Sequence, residues 1–159
     1  MYCKMKKNFL FILIGYFFCT ALFLNSYQHT EEEVSLRISP LLINFPAADP
    51  DSVTVIFSDS QVRVEIVVGV ARSWNLTVTA NGNLKGDKGA FIPINNVSWT
   101  ATPSPPFING TLVRMRPQLM AKAEGDGEFT GDLNFFLANS WDYQAGEYRQ
   151  TITFTLAVL

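Results

Sequence analysis

Hydrophobic and polar side chains alternate along most of the chain that follows the N-terminal segment. In residues 73–80, Trp74 and Leu76 alternate with serine, asparagine and threonine, and residues 148–158 show the same pattern around Phe154. Successive side chains of a β-strand point to opposite faces of its sheet, so strict alternation is typical of a strand with one buried face. The chain therefore carries two similar aromatic-x-Leu stretches, both with the pattern of a strand.

Alternation of this kind, with turn-forming residues between the segments, predicts seven or eight short strands. Glycine, proline, asparagine and aspartate separate the segments, and no helical period follows the N-terminal segment. Short strands with regular turn signals favour an all-β fold, here a single antiparallel β-sandwich of immunoglobulin-like kind. The predicted strands are residues 34–40, 53–57, 61–70, 73–80, 91–101, 111–117, 127–138 and 148–158.

The N-terminal segment has the layout of a secretory signal. Three lysines precede an apolar run at residues 9–24, and polar residues follow it. Residues 1–27 are therefore predicted to be a signal peptide, either cleaved or retained as a helical membrane anchor, and contact with a membrane is expected only there. Residues 28–33 form an acidic spacer, and residues 34–159 form the β-sandwich domain. We expect a secreted, extracytoplasmic protein at the cell surface.

Charge and cysteine content argue against a nucleic-acid partner and against disulfide bonds in the domain. Three of the 12 basic residues lie in the signal, whereas all 14 acidic residues lie from Glu31 onward. An exported part with this acidic excess lacks the basic surface of a nucleic-acid-binding protein, so no nucleic-acid partner is expected. Both cysteines, Cys3 and Cys19, fall in the signal, so the domain is predicted to fold without a disulfide.

The residue types that most enzymes require are scarce. His29 is the one histidine, and it lies in the acidic spacer. A Ser-His-Asp or Cys-His arrangement in the domain is therefore implausible, as is a metal site built from histidine and cysteine. We predict that the protein is not an enzyme and has no catalytic residues, no cofactor and no metal ligands.

One acidic segment leaves calcium open as an alternative. Residues 124–132 read EGDGEFTGD, with four acidic side chains among three glycines. Oxygen ligands on a glycine-rich loop suit Ca²⁺, but the spacing does not match an EF-hand loop. A solvated hairpin turn is the simpler interpretation.

Aromatic residues are the remaining candidates for binding. Trp74 and Phe154 lie at alternating positions that predict burial in the core. Trp99 precedes a proline-rich loop, and Trp141 and Tyr143 lie in a turn, so these three are expected to be partly exposed. Exposed aromatic side chains near polar loops stack on sugars or bind partners. The alternative is that they cover one end of the sandwich.

The two aromatic-x-Leu strands resemble those of the WxL domain of Gram-positive bacterial surface proteins. Residues 74–78, WNLTV, match the first strand of that family, and residues 146–156, GEYRQTITFTL, resemble its closing strand, with Phe154 in place of tryptophan. The resemblance implies non-covalent attachment to the cell wall. The matching positions are expected to be buried and to support the wall-binding surface from beneath; they are Trp74, Leu76, Phe154 and Leu156.

A second resemblance is to exported single-sandwich subunits of bacterial fimbriae. Residues 145–148, AGEY, and the threonine-rich strand after them are similar to the closing strand of those subunits. Such subunits assemble by adding a strand to a neighbour's sheet, and residues 34–45 alternate well enough to be a donor. We therefore expect a non-catalytic, wall-associated binding module, whose partners are cell-wall polymer or other surface proteins. The alternative is a fimbrial-type structural subunit; oligomerisation is left open.

Overall fold

A computed structural model describes residues 34–69 and 73–159 of the chain. The predicted signal or anchor helix and the acidic spacer lie outside the described residues. Within them the fold is all-β with antiparallel sheets, as predicted, and its helical turns are two short 3-10 segments, Asp87–Gly89 and Ile94–Asn96.

Eleven strands, three of them only two residues long, make up the described domain. In chain order they are β1 Val34–Ser39, β2 Val55–Phe57, β3 Val62–Val68, β4 Ser73–Ala80, β5 Leu84–Lys85, β6 Phe91–Ile92, β7 Val97–Thr102, β8 Gly110–Thr111, β9 Gln118–Glu124, β10 Gly127–Ala138 and β11 Ile152–Val158.

The strands form two main sheets and a short hairpin. The larger sheet has the order β1-β3-β10-β7-β8, and β2 also pairs with β10. The smaller sheet has the order β11-β4-β9, and β5 and β6 pair with each other. The two aromatic-x-Leu stretches are therefore direct neighbours, with Leu156 opposite Leu76 and Val158 opposite Trp74.

A hydrophobic core lies between the two main sheets. Inward side chains of β4 alternate strictly with half-buried polar ones, as the sequence predicts. The Trp74 ring from β4 packs against Phe129 of β10, with 4.8 Å between ring centroids. The largest fully buried side chains come from both sheets and the segments between them, and include Trp74, Trp99, Phe107, Phe135, Ile66, Leu76, Leu112 and Met120.

β2 and β3 lie along the same edge of β10, with a bulge between them. Val62 pairs with Leu133, whereas Phe57 pairs with Phe136, so the four residues 58–61 face only two residues of β10. A bulge of this kind bends its strand and leaves the extra residues outside the ladder.

Asp59, within this bulge, ties the segment after β1 to the larger sheet. Asn44 donates from its side chain to Asp59 Oδ2 (2.9 Å) and from its backbone to Oδ1 (3.0 Å). The backbone N–H of Asp59 in turn donates to the Asn44 carbonyl (2.8 Å). The hydrogen bonds from Asn44 favour the ionised carboxylate, so they lower the pKa of Asp59 from its ordinary value.

Several predicted strand boundaries are wrong. The segment predicted as one strand at 91–101 is divided into β6, a 3-10 turn and β7, and the closing strand begins at Ile152 instead of at residue 148. The strand predicted at 111–117 is reduced to β8 and two isolated bridges, one between Val113 and Arg116 and one between Arg114 and Ala80.

β9 was not predicted at all, and its own pairing explains why. The register between β4 and β9 shifts between Leu76 and Thr77, so β9 contains a bulge. Met120 and Ala121 are consequently both buried although they are consecutive. Two adjacent inward residues interrupt the alternation by which the other strands are detected.

Candidate functional site

An exposed tryptophan lies on the loops at one end of the domain. The side chain of Trp141 is 67% exposed, yet its indole Nε1–H donates to Asp51 Oδ1 at 2.9 Å. The expected exposure of Trp141 is therefore confirmed. We define the Trp141 surface as Asp51, Trp141, Asp142 and Tyr143.

Hydrogen bonds from Asn139 hold the two loops of this surface together, and Ser140 bonds within its own loop. Asn139 Nδ2 donates to the carbonyls of Ala48 (3.1 Å) and Val53 (2.9 Å), which lie on either side of Asp51. The Ser140 hydroxyl donates to Asp142 Oδ2 at 3.0 Å and accepts from the Asp142 backbone N–H at 3.1 Å. The indole is thus fixed by its own hydrogen bond and by a connected set of loop contacts.

Tyr143 connects the Trp141 surface to the hydrophobic core. Its side chain is half-buried and packs against the core, in agreement with the expected partial exposure. Burial, with a smaller contribution from the Asp142 carboxylate, raises the pKa of the Tyr143 hydroxyl from its ordinary value. The neutral phenol is therefore favoured and can both donate and accept a hydrogen bond.

The Trp141 surface combines one exposed aromatic face with carboxylate oxygens. Asp51 Oδ2 offers an acceptor beside the indole, and Asp142 and Tyr143, which follow Trp141 in the chain, carry further polar groups. An aromatic face with hydrogen-bond acceptors at its edge suits a ligand that has both a flat apolar side and hydroxyl donors.

The prediction that Trp99 is partly exposed is wrong. Trp99 is 1% exposed, and its Nε1–H donates to the carbonyl of Ile108 at 2.8 Å. The proline-rich loop does not lead the chain away from the core, because it returns to bury Phe107. This return covers Trp99 on the inner face of β7.

The four positions matched to the WxL motif are brought together, but they are not equally buried. Trp74 and Leu76 are fully buried, as expected, whereas Phe154 and Leu156 are only half-buried. The difference arises because β4 is the central strand of the smaller sheet and β11 is its edge. The expectation of burial is therefore only partly right for β11.

The acidic segment considered for calcium connects β9 of the smaller sheet to β10 of the larger sheet and continues into β10, so it is not the hairpin turn that the sequence predicted. Gly125 and Gly127 have φ values of +97° and +130°, which side chains other than glycine rarely adopt. Asp132 lies farther along β10 and contacts Arg63, with 3.5 Å between Oδ1 and Nε. Within residues 34–69 and 73–159, no three acidic, histidine or cysteine side chains are grouped to hold a metal ion.

The two lateral edges of the domain differ. At one flank the chain after β7 covers β9: the Ile108 N–H donates to the Met120 carbonyl (2.8 Å), and the Lys122 N–H donates to the Pro106 carbonyl (3.2 Å). At the other flank, among the described residues, β1 pairs with β3 alone and β11 pairs with β4 alone. Their inward side chains are half-buried, including Leu36, Ile38, Phe154 and Leu156. We call this the open flank.

Sequence reasoning found Trp141 but missed the partner that positions it. Asp51 lies 90 residues away in the chain, and a surface aspartate beside a proline has no local signal for such a contact. The open flank was likewise missed, because strand order decides which strands lie at an edge.

Comparison with protein-family models and with curated proteins finds no match for this chain. Among the described residues, none belongs to a helix with the length and apolar character needed to cross a membrane.

Proposed function

We propose that this chain is an exported, non-catalytic bacterial surface module that binds cell-wall polymer through the Trp141 surface. The domain would be an immunoglobulin-like sandwich presented outside the cytoplasm, and the signal-like N-terminal segment supports that location. The observation that carries the proposal is an indole that is both exposed and fixed, with its Nε1–H bonded to Asp51.

Exposure alone does not distinguish Trp141, because single exposed apolar side chains are normal and Phe57 and Phe91 are also exposed. Trp141 is distinguished by an indole that is exposed and also held by a hydrogen bond. Because the Trp141 ring is already held by Asp51, a ligand that stacks on it does not have to order it first, and the entropy cost of binding is smaller. Sugars of the cell wall have the flat faces and hydroxyl groups that this surface would accept.

Residues matched to the WxL motif would contribute indirectly. Trp74 and Leu76 are buried between the sheets and would stabilise the domain without contacting the ligand, since Trp74 packs against Phe129 near the start of β10 and Trp141 follows the end of that strand. Replacing them would lower binding by lowering stability, whereas replacing Trp141 would lower binding in a folded protein.

We expect Trp141→Ala to weaken binding to purified cell walls at least about tenfold, which corresponds to about 1.4 kcal/mol. Co-sedimentation with isolated peptidoglycan and with intact wall measures the effect. Phe91→Ala is the matched control, because Phe91 is also an exposed aromatic residue but lies on the β5–β6 hairpin. Equal binding by wild type and both variants would contradict the proposal, as would a complete failure of the wild type to sediment with the wall.

The open flank favours a second candidate function, a fimbrial-type structural subunit. Strands with a free edge accept an added strand, and the half-buried side chains of β1 and β11 would be covered by it. This function predicts concentration-dependent ladders of oligomers that resist SDS, and no retention by peptidoglycan.

A further inference from the structure

Among the described residues β11 pairs with β4 alone, and the hydrogen-bonding groups on its other edge follow a defined pattern. The N–H of Leu159 donates to the Ser73 carbonyl at 2.8 Å, in register with the pairing of Val158 and Trp74. Bonded and non-bonded pairs alternate in an antiparallel ladder. The backbone groups of residues 153, 155 and 157 therefore face β4, and those of residues 152, 154, 156 and 158 face away from it.

The sequence of β11 lacks the features that usually protect an edge strand. Residues 150–159 contain no charge and no proline, and most of them favour strands. Natural edge strands are usually protected by charged side chains, proline or bulges. β1 has such features, since Arg37 lies 3.9 Å from Glu65 and Pro40 follows the strand, so of the two edges β11 is the one open to addition.

We propose that β11 pairs with β11 of a second copy of this chain, antiparallel, around a two-fold axis at Thr155. With this centre, residue 154 faces residue 156 of the other copy, and residue 152 faces residue 158. All of these residues direct their backbone groups outward, so every outward N–H and C=O along Ile152–Val158 obtains a partner. An axis shifted along the strand would leave some of these groups unpaired.

The side chains of β11 are compatible with this pairing. Thr153 and Thr155 are exposed and uncharged, so no like charges meet across the axis. The half-buried side chains of Phe154 and Leu156 would lie beside those of the second copy and lose contact with water. The smaller sheets of the two molecules would become one continuous sheet.

A leading segment of another copy is a less suitable occupant. β1 is already paired with β3 over its whole length, from Val34 opposite Val68 to Ser39 opposite Arg63. Donating it would require breaking that pairing first. Self-pairing of β11 breaks nothing in either copy, and it produces a closed dimer, since the same surface is used on both sides. It is independent of wall binding through Trp141.

Cross-linking at the axis tests the proposal in the full chain with Cys3→Ser and Cys19→Ser. Thr155 would face its own counterpart as a non-bonded pair with Cα atoms about 4.5 Å apart, within the range for a disulfide. Thr155→Cys should therefore form a covalent dimer on mild oxidation. In Thr153→Cys, the matched control, the two cysteines would lie about 13 Å apart, given a rise of about 3.3 Å per residue, and should not cross-link.

Sedimentation equilibrium without cross-linking gives the second measurement. Thr155→Lys places two like charges opposite each other and should raise the dimer dissociation constant at least about tenfold, whereas Thr153→Lys faces Ala157 and should leave it nearly unchanged. A wild-type chain that remains monomeric at all concentrations would overturn the proposal. Equal cross-linking at positions 153 and 155 would also overturn it, as would an open-ended ladder of oligomers.

Discussion

Replacing Trp99 with alanine is expected to lower the free energy of unfolding by about 3–5 kcal/mol, a large part of the stability of a small domain. Trp99 is buried on β7, where its ring lies 6.2 Å from that of Phe135. Its removal leaves a cavity between the sheets and takes away the donor bonded to the Ile108 carbonyl. That bond joins β7 to the segment that covers β9.

Urea unfolding followed by far-UV circular dichroism measures this loss. Trp141→Ala is the control, because it removes an exposed indole and should change stability by about 0.5 kcal/mol or less. A further comparison separates packing from hydrogen bonding. Among the described residues Trp74 Nε1 has no hydrogen-bond partner, so Trp74→Phe should cost less than Trp99→Phe. Similar losses for Trp99→Ala and Trp141→Ala would contradict this account of the core.

Gly131→Ala is expected to destabilise the domain by about 1–3 kcal/mol, the usual cost of overpacking a filled core. Gly131 is buried on β10 opposite Val64, and a methyl group added there would overlap the ring of Phe107. Phe107 is fully buried, so its ring cannot move aside without disturbing the segment that covers β9. Glycine is needed at position 131 because the Phe107 ring occupies the space that a side chain there would take.

Two further variants isolate this contact. Gly146→Ala is the matched control, because nothing lies within 4 Å of the added methyl group there, and its stability should remain close to that of the wild type. Phe107→Leu combined with Gly131→Ala should cost less than the sum of the two single changes, since the smaller side chain makes room for the methyl group. Additive losses in the double variant would show that the two sites do not interact.

Much of the fold could be predicted because alternation is a direct consequence of a one-sided core. β3, β4 and β10 each bury every second residue over seven residues or more, and all three were found from the sequence. A shift of the register by one residue would move all of these side chains to the solvent face, so the hydrophobic pattern fixes which face of each strand is buried.

The remaining features depend on contacts between distant parts of the chain. A bulge interrupts the alternation of hydrophobic and polar residues in β9. Trp99 is covered by the loop whose prolines led to the prediction that Trp99 is exposed. The half-burial of Phe154 depends on β11 lying at an edge, which only the strand order reveals. Trp141 could be predicted as exposed, but its fixation by Asp51 could not, because no local pattern links the two loops.

Residue-resolved amide hydrogen exchange on the full chain tests the two-sheet arrangement most directly. β4 and β10 are flanked by strands on both sides, so their amides should exchange slowest, close to the rate of global unfolding. Amides of β1, at the open flank, should exchange faster. Exchange of β4 and β10 as fast as that of the loop at residues 139–147 would contradict the account.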